Sequence, residues 1–253
     1  GGARELRERV ARLQARGYPC RLIDRDEMAE LEPGLRPGAV EAAVLSEIDG
    51  EVDPPRVARA CLRKVAEDGG AVHLETHVTG LQLGGNRITA VRTAGGDLEC
   101  DIVVLAAGVG TTDLAATAGV HVPQQESPGV VVRTDPRPRL LQTVSVVYAP
   151  PLDADRSEIH LRQTVDGSLM IGEGSQESLH RDDSQEHADE LLDRAIHFLP
   201  ALAGATAFPE PVGYRPMPLD EFPVIGFADA VPNLYVAVMH SGVTLAPLVG
   251  KWA

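Results

Sequence analysis

Gly213-Tyr214-Arg215-Pro216-Met217-Pro218-Leu219-Asp220 opens the most informative part of the chain. Phe222-Pro223-Val224-Ile225-Gly226 follows, then Asn233-Leu234-Tyr235-Val236-Ala237, then His240-Ser241-Gly242-Val243-Thr244-Leu245-Ala246-Pro247. A Pro-rich stretch leads into a strand over residues 234–238 and a terminal segment that reads as helical. Two chemistries stand out in it. Arg215 presents a planar guanidinium fork, the group that grips a carboxylate through two parallel hydrogen bonds. The plainer reading of Arg215 is an ion pair with Asp220 or Glu221. Gly242 lets backbone N–H groups approach a ligand closely, and N–H groups at a helix start favour negative charge.

Upstream, residues 102–106 form an apolar run ending in Ala107-Gly108. Such a run predicts a strand buried on both faces, as in a parallel sheet under helices. Thr111 or Thr112 can cap the short helix that follows, and Gly119 ends it. From Gly129 the texture is β-rich and turn-separated, with Asp166-Gly167 as a hairpin signal, which predicts an antiparallel sheet. Residues 184–199 read as a helix with Leu191, Leu192, Ala195 and Phe198 on one face, stopped by Pro200. Nearer the N-terminus, Leu6, Val10 and Leu13 mark a helix over residues 3–16, and Asp24 or Asp26 caps a short helix over 23–30. A strand is expected over 40–45. Asp53-Pro54-Pro55 opens a helix whose apolar face is Val57, Cys61 and Val65. Residues 71–78 alternate, which predicts a strand. A hairpin turns at Gly84-Gly85-Asn86, and a short strand follows over 97–100.

The chain has 253 residues, 43% apolar and 24% charged, ordinary for a globular fold. No run of eighteen apolar residues occurs, so no membrane-spanning helix is expected. A net charge of −14 repels phosphate backbones, and aromatics at 4% supply few stacking platforms, so nucleic acid is excluded as a partner. The three cysteines form no CxxC, which excludes a zinc ribbon and fits a reducing, cytoplasmic setting. His73 and His77 on a strand lie roughly 13 Å apart, too far to share one ion, so no metal site is assigned. Gly108-Val109-Gly110 is an incomplete nucleotide fingerprint, because Asp113 holds the place of the third glycine.

The ordered segments from Gly213 to Pro247 resemble the C-terminal end of the D-amino-acid oxidase-like FAD family, which includes glycine oxidase, sarcosine oxidase and D-amino-acid dehydrogenase. Three upstream segments are similar to the same family. Val52-Asp53-Pro54 resembles its helix start, and residues 76–81 resemble a strand whose valine, here Val78, touches the adenine end of FAD. Residues 101–108 resemble the strand beside the cofactor. Together these cover most of residues 40–253. The resemblance implies an α/β fold with mixed α+β character: a partial FAD-binding Rossmann-like domain interleaved with an antiparallel substrate domain. It implies FAD as cofactor and an amino acid or amine as substrate. The C–N bond would be oxidised by hydride transfer to flavin, with no general base required.

Carried over residue by residue, Arg215 is the expected carboxylate anchor, set on the substrate-side sheet. His240 is expected to face substrate or merely to pack. Val78, Ala107, Gly108, Ser241, Gly242, Val243, Thr244 and Leu245 are the expected cofactor contacts. Only Ser241 separates His240 from Gly242, a departure from a common family form. The expected division puts residues 1–53 and 120–221 on the substrate side, and residues 54–119 and 222–253 on the FAD side. Family members begin with a strand, a GxGxxG turn and an acidic residue that hold the FAD pyrophosphate and ribose, and the sequence carries none of these. The start without Met, inside a predicted helix, likewise reads as a fragment or a processed chain. The expectation is therefore a chain that holds the catalytic half of the site, binds FAD weakly or not at all, and exposes apolar surface beside residues 102–106. From a different class, the chain is a binding module or subunit without its own FAD, or one whose FAD anchor comes from another chain.

Overall fold

The computed structural model describes residues 2–38, 40, 42–144, 146–153, 156–174 and 179–253. These divide into two units, residues 1–53 with 129–213 and residues 54–128 with 214–253.

The first unit is built on a five-stranded antiparallel sheet. Its spatial order is Val147–Ala149, Ile159–Gln163, Leu169–Glu173, Val131–Thr134, Ala207–Pro209. Alternation decides which face is covered. Val132, Ala149, Ile159, Leu161, Leu169, Ile171 and Ala207 all point to one side, where they bury against Ala188, Leu191, Ala195 and Phe198 of the Gln185–Phe198 helix. Ser184 caps that helix by accepting from the His187 amide. At the Asp166-Gly167 turn the backbone needs glycine: Gly167 has φ +89°, and a Cβ there would lie 2.6 Å from the Arg137 carbonyl. Helices Gly2–Gln14 and Arg25–Leu31 flank a two-stranded sheet of Cys20–Ile23 and Ala43–Ser46. Asp24 caps the second helix. The strand expected over 40–45 begins at Ala43, and residues 39 and 41 lie outside the described chain.

Among the described residues, two carboxylates are buried in this unit. Glu32 accepts from the amides of Gln142, Thr143 and Val144 and from the Thr143 hydroxyl. Burial by itself pushes its pKa up, but the converging N–H donors outweigh that and hold it below its ordinary value of 4.5. A depressed carboxylate contributes stability above its unfolded pKa and loses it as pH falls. Acid unfolding of the first unit should therefore begin as pH drops below about 4.5. Glu32→Gln should cost roughly 1–3 kcal/mol at neutral pH and flatten that acid limb; urea melts at pH 7 and pH 4 check both. The second carboxylate, Glu173, accepts from Arg194 Nη1 at 2.6 Å and from the Ser157 hydroxyl at 2.8 Å. His187 Nε2 lies 2.9 Å from its other oxygen, close enough for an ion pair but out of hydrogen-bond alignment.

The second unit holds the parallel element. Strand Val103–Leu105 lies beside Leu234–Val238 in parallel register, Val103 opposite Leu234 and Leu105 opposite Val236. Val224–Phe227 pairs antiparallel on the other side of Leu234–Val238. An antiparallel sheet of Val78–Gly84, Arg87–Thr93 and Gly96–Glu99 completes the unit, with helices Pro54–Glu67, Thr111–Ala116 and Gly242–Trp252. Asn233, 2% exposed, ties the pieces together. Its Oδ1 accepts from the Ile88 amide, and its Nδ2 donates to the carbonyls of Ile88 and Asp101. Its own carbonyl accepts from Val103 N. Asn233→Ala strands these partners and should cost roughly 2–3 kcal/mol, read as a lowered denaturant midpoint at constant slope.

Three expectations are corrected here. Residues 71–77 form no strand; they are irregular, with a turn at 74–75, where Glu75 takes φ +53°. Among the described residues no strand pairs with this segment, and alternation without a neighbour leaves the backbone groups to water. Strand Val103–Leu105 is buried on one face only, since Ile102 and Val104 are more than half exposed. Neither Thr111 nor Thr112 caps the next helix, whose N-cap is Gly110. The Thr112 hydroxyl instead donates to the Val122 carbonyl at 2.7 Å.

Candidate cofactor and substrate site

The register of the parallel pair fixes where chemistry can gather. Val103–Leu105 runs out through Ala106 and Ala107 into a 3-10 turn, Gly108–Gly110, and then the Thr111–Ala116 helix. Leu234–Val238 runs out through Met239, His240 and Ser241 into the Gly242–Trp252 helix. Adjacent parallel strands have their carboxyl ends on one side, so both exits open there. In open α/β sheets that is where ligands bind.

Each exit leaves backbone available. Gly108 takes φ +58°, and a Cβ built there meets no atom within 4 Å. A side chain would be strained in this conformation, and the main chain is open to an approaching group. At the second exit the Ser241 side chain makes no capping bond; its hydroxyl lies 3.4 Å from His240 Nδ1 instead. The first intrahelical bond runs from Leu245 N to the Ser241 carbonyl. The amides of Gly242, Val243 and Thr244 therefore have no acceptor within the helix and carry the positive end of its dipole.

Arg215 lies in the second unit, outside the five-stranded sheet of the first. It sits on a short antiparallel ribbon with residues 123–128. Arg215 N donates to the Ser127 carbonyl at 2.9 Å, Met217 and Pro218 lie opposite Gln125 and Gln124, and Leu219 N donates to the Pro123 carbonyl. Nη1 donates to the Pro128 carbonyl at 2.5 Å. Among the described residues no carboxylate pairs with the guanidinium; Asp220 accepts instead from the Phe222 amide. Its half-buried charge therefore stands without a counter-ion among them.

Ala107, Gly108 and Ser241 to Leu245 thus stand at neighbouring strand exits, with His240 half-buried at the second. Val78 opens the antiparallel hairpin, a different sheet, opposite Thr93. That hairpin meets the helix after the glycine turn where Leu81 N donates to the Thr117 hydroxyl. Sequence reading passes over Gln124, whose Nε2 reaches the carbonyls of Gly108 and Val109. No local pattern signals it, because its partners are two main-chain carbonyls and one hydroxyl 12 to 16 residues earlier in the chain. Among the described residues no cluster of His, Cys, Asp or Glu could hold a metal, and no helix is long and apolar enough to cross a membrane.

A parallel strand pair opening into a bare glycine turn and an uncapped helix start is the frame of an α/β protein that carries an elongated, anionic cofactor across its strand ends. The chain belongs to the FAD dependent oxidoreductase family, whose model matches residues 1–253. It is 27% identical over 246 residues to hydrogen cyanide synthase subunit HcnC of Pseudomonas aeruginosa, covering 95% of this chain and 57% of that one. It is 27% identical over 237 residues to glycine oxidase of Geobacillus kaustophilus, covering 92% and 60%. The solved glycine oxidase of Geobacillus kaustophilus superposes with TM-score 0.78 at 25% identity, over 98% of this chain and 65% of that one. L-proline dehydrogenase from P. horikoshii superposes with TM-score 0.80 at 26% identity, over 96% and 66%. The chain spans somewhat over half the length of the curated relatives it matches. The family uses FAD, and the residues at the strand exits fit that group. The open backbone at Gly108 admits a close approach, and the free amides of residues 242–244 suit its electron-rich, anionic parts.

Proposed function

We propose that this chain carries the cofactor-side residues and the carboxylate anchor of an FAD-dependent oxidoreductase that oxidises the C–N bond of an amino acid or a secondary amine. The observation that carries this reading is Arg215, held by its own main chain and by one carbonyl, with no carboxylate on it among the described residues. A guanidinium in that state suits a carboxylate brought by substrate, which it holds in a fixed plane.

FAD, when bound, supplies the two-electron acceptor. Arg215 grips the substrate carboxylate and so fixes where the Cα–H points, and orientation of this kind is a large share of such catalysis. The amides of Gly242, Val243 and Thr244 favour negative charge beside the helix start. Ala107 and Gly108 allow close approach at the neighbouring exit, and Leu245 and the backbone of Val78 are the remaining proposed cofactor contacts. His240 faces the substrate from its strand exit. With that acceptor in place, the substrate would give up a hydride from Cα to it and a proton from nitrogen to water, giving an imine. Water then converts the imine to a keto acid or aldehyde plus ammonia or an amine.

Anaerobic mixing of the flavin-loaded protein with amino acids and secondary amines tests this. Bleaching of the flavin, with stoichiometric ammonia or amine release, is expected. No bleaching by any compound of either class, in protein that holds the flavin, would overturn it.

A further inference from the structure

We propose that Gln124 is a positioning residue that registers the Arg215 ribbon against the Gly108–Gly110 turn. The inference rests on the reading above for its meaning in catalysis, but its geometry stands apart from it.

Gln124 belongs to both structures at once. Its main chain lies in the ribbon, opposite Pro218, with Leu219 N bonded to the Pro123 carbonyl on one side and Arg215 N to the Ser127 carbonyl on the other. Arg215 is three residues from Pro218, roughly 10 Å along an extended chain. Its side chain lies in the turn. Nε2 donates to the Gly108 carbonyl at 3.3 Å, the Val109 carbonyl at 3.4 Å and the Thr112 hydroxyl at 3.0 Å. Thr112 is itself fixed, since its hydroxyl donates to the Val122 carbonyl. The amide orientation follows from these partners, because the reverse would set an oxygen against two carbonyls.

Oε1 is buried and has no partner among the described residues. A buried acceptor left unpaired is unfavourable. What fixes the amide is therefore its donors. Each of those bonds is long and weak alone, but together they tie the 108–112 turn to Gln124, whose strand is in turn paired with residues 215–219. The turn cannot shift toward or away from a ligand without pulling the strand that carries the arginine.

Gln124→Met keeps the length and removes the donors. Amide hydrogen exchange on the FAD-free chain reads the coupling directly. Exchange should rise at least tenfold both at residues 108–112 and at the Arg215 and Leu219 amides, with strand Leu234–Val238 unchanged. A rise in one segment only, or in neither, overturns the proposal. Should Gln124→Met fail to fold, Thr112→Val, which removes one acceptor of Gln124 Nε2 together with the bond to the Val122 carbonyl, is expected to loosen the same two segments to a smaller degree; loosening of the turn alone overturns it. In the flavin-loaded protein, Gln124→Met should raise KM for a carboxylate substrate about tenfold while changing kcat less than threefold. A wild-type protein without an Arg215-dependent preference for carboxylates would sink the functional reading while the exchange result still decides the role of Gln124.

Discussion

Arg215→Lys is expected to lower kcat/KM for an amino-acid substrate by roughly thirty- to a thousand-fold and to leave the decarboxylated amine within about threefold. Lysine keeps the charge but loses the planar fork, so a carboxylate is gripped at one point and free to swing. Loss of a charge-assisted pair out of water costs on the order of 2–4 kcal/mol, which converts to that range of rates. The ribbon should survive the change, because Arg215 joins it through its main chain, and only the bond to the Pro128 carbonyl is at stake in the fold. Steady-state kinetics on the paired substrates decides. Equal losses on both would make Arg215 a structural residue and remove the carboxylate from the substrate class.

The largest loss of stability should come from Arg194→Met. Arg194 is 3% exposed and donates to Glu173, which is 8% exposed, and to the Ser157 carbonyl. Burial pushes the Glu173 carboxyl up, yet hydrogen bonds from Arg194 and Ser157 and the charges of Arg194 and His187 bring it below its ordinary value. Removing the guanidinium leaves a buried carboxylate facing only a hydroxyl and a poorly aligned imidazole, at a cost of about 3–5 kcal/mol. Because the folded pKa is depressed with arginine present, that stability exists above about 4.5 and is lost as pH falls. In Arg194→Met the sign reverses: the stranded carboxylate prefers a proton, so the variant should gain stability relative to wild type on acidification. Thermal melts at pH 7 and pH 4.5 read both. A variant as stable as wild type at pH 7 would show the pair contributes nothing net.

Much of the frame was legible in the sequence because its signals are local. Asp24 caps where its side chain can reach the Glu27 amide, Asp166-Gly167 turns because its backbone needs φ > 0, and the β-rich, turn-separated texture after Gly129 marks an antiparallel sheet. What failed were readings that depend on neighbours. Residues 71–77 have the alternation of a strand, but pairing belongs to two segments and a pattern to one. Strand Val103–Leu105 looks uniformly apolar, yet burial depends on what lies over each face. At the site, the motif order named the two strand exits and Arg215, since glycine, arginine and a strand before a helix leave marks. It missed Gln124 and the stapling role of Asn233, whose partners are main-chain atoms with no sequence signature.

The pairing of Val103–Leu105 with Leu234–Val238 also sets a timetable. Asn233 reaches the Asp101 carbonyl across 132 positions of chain, and the helix that supplies the free amides begins only at Gly242. A nascent chain cannot close that contact until residue 233 has been synthesised, and contacts of such long sequence separation form slowly. The antiparallel sheet of residues 131–209 closes over much shorter loops. On the ribosome and in refolding, then, that sheet is expected to close before the parallel strand pair does.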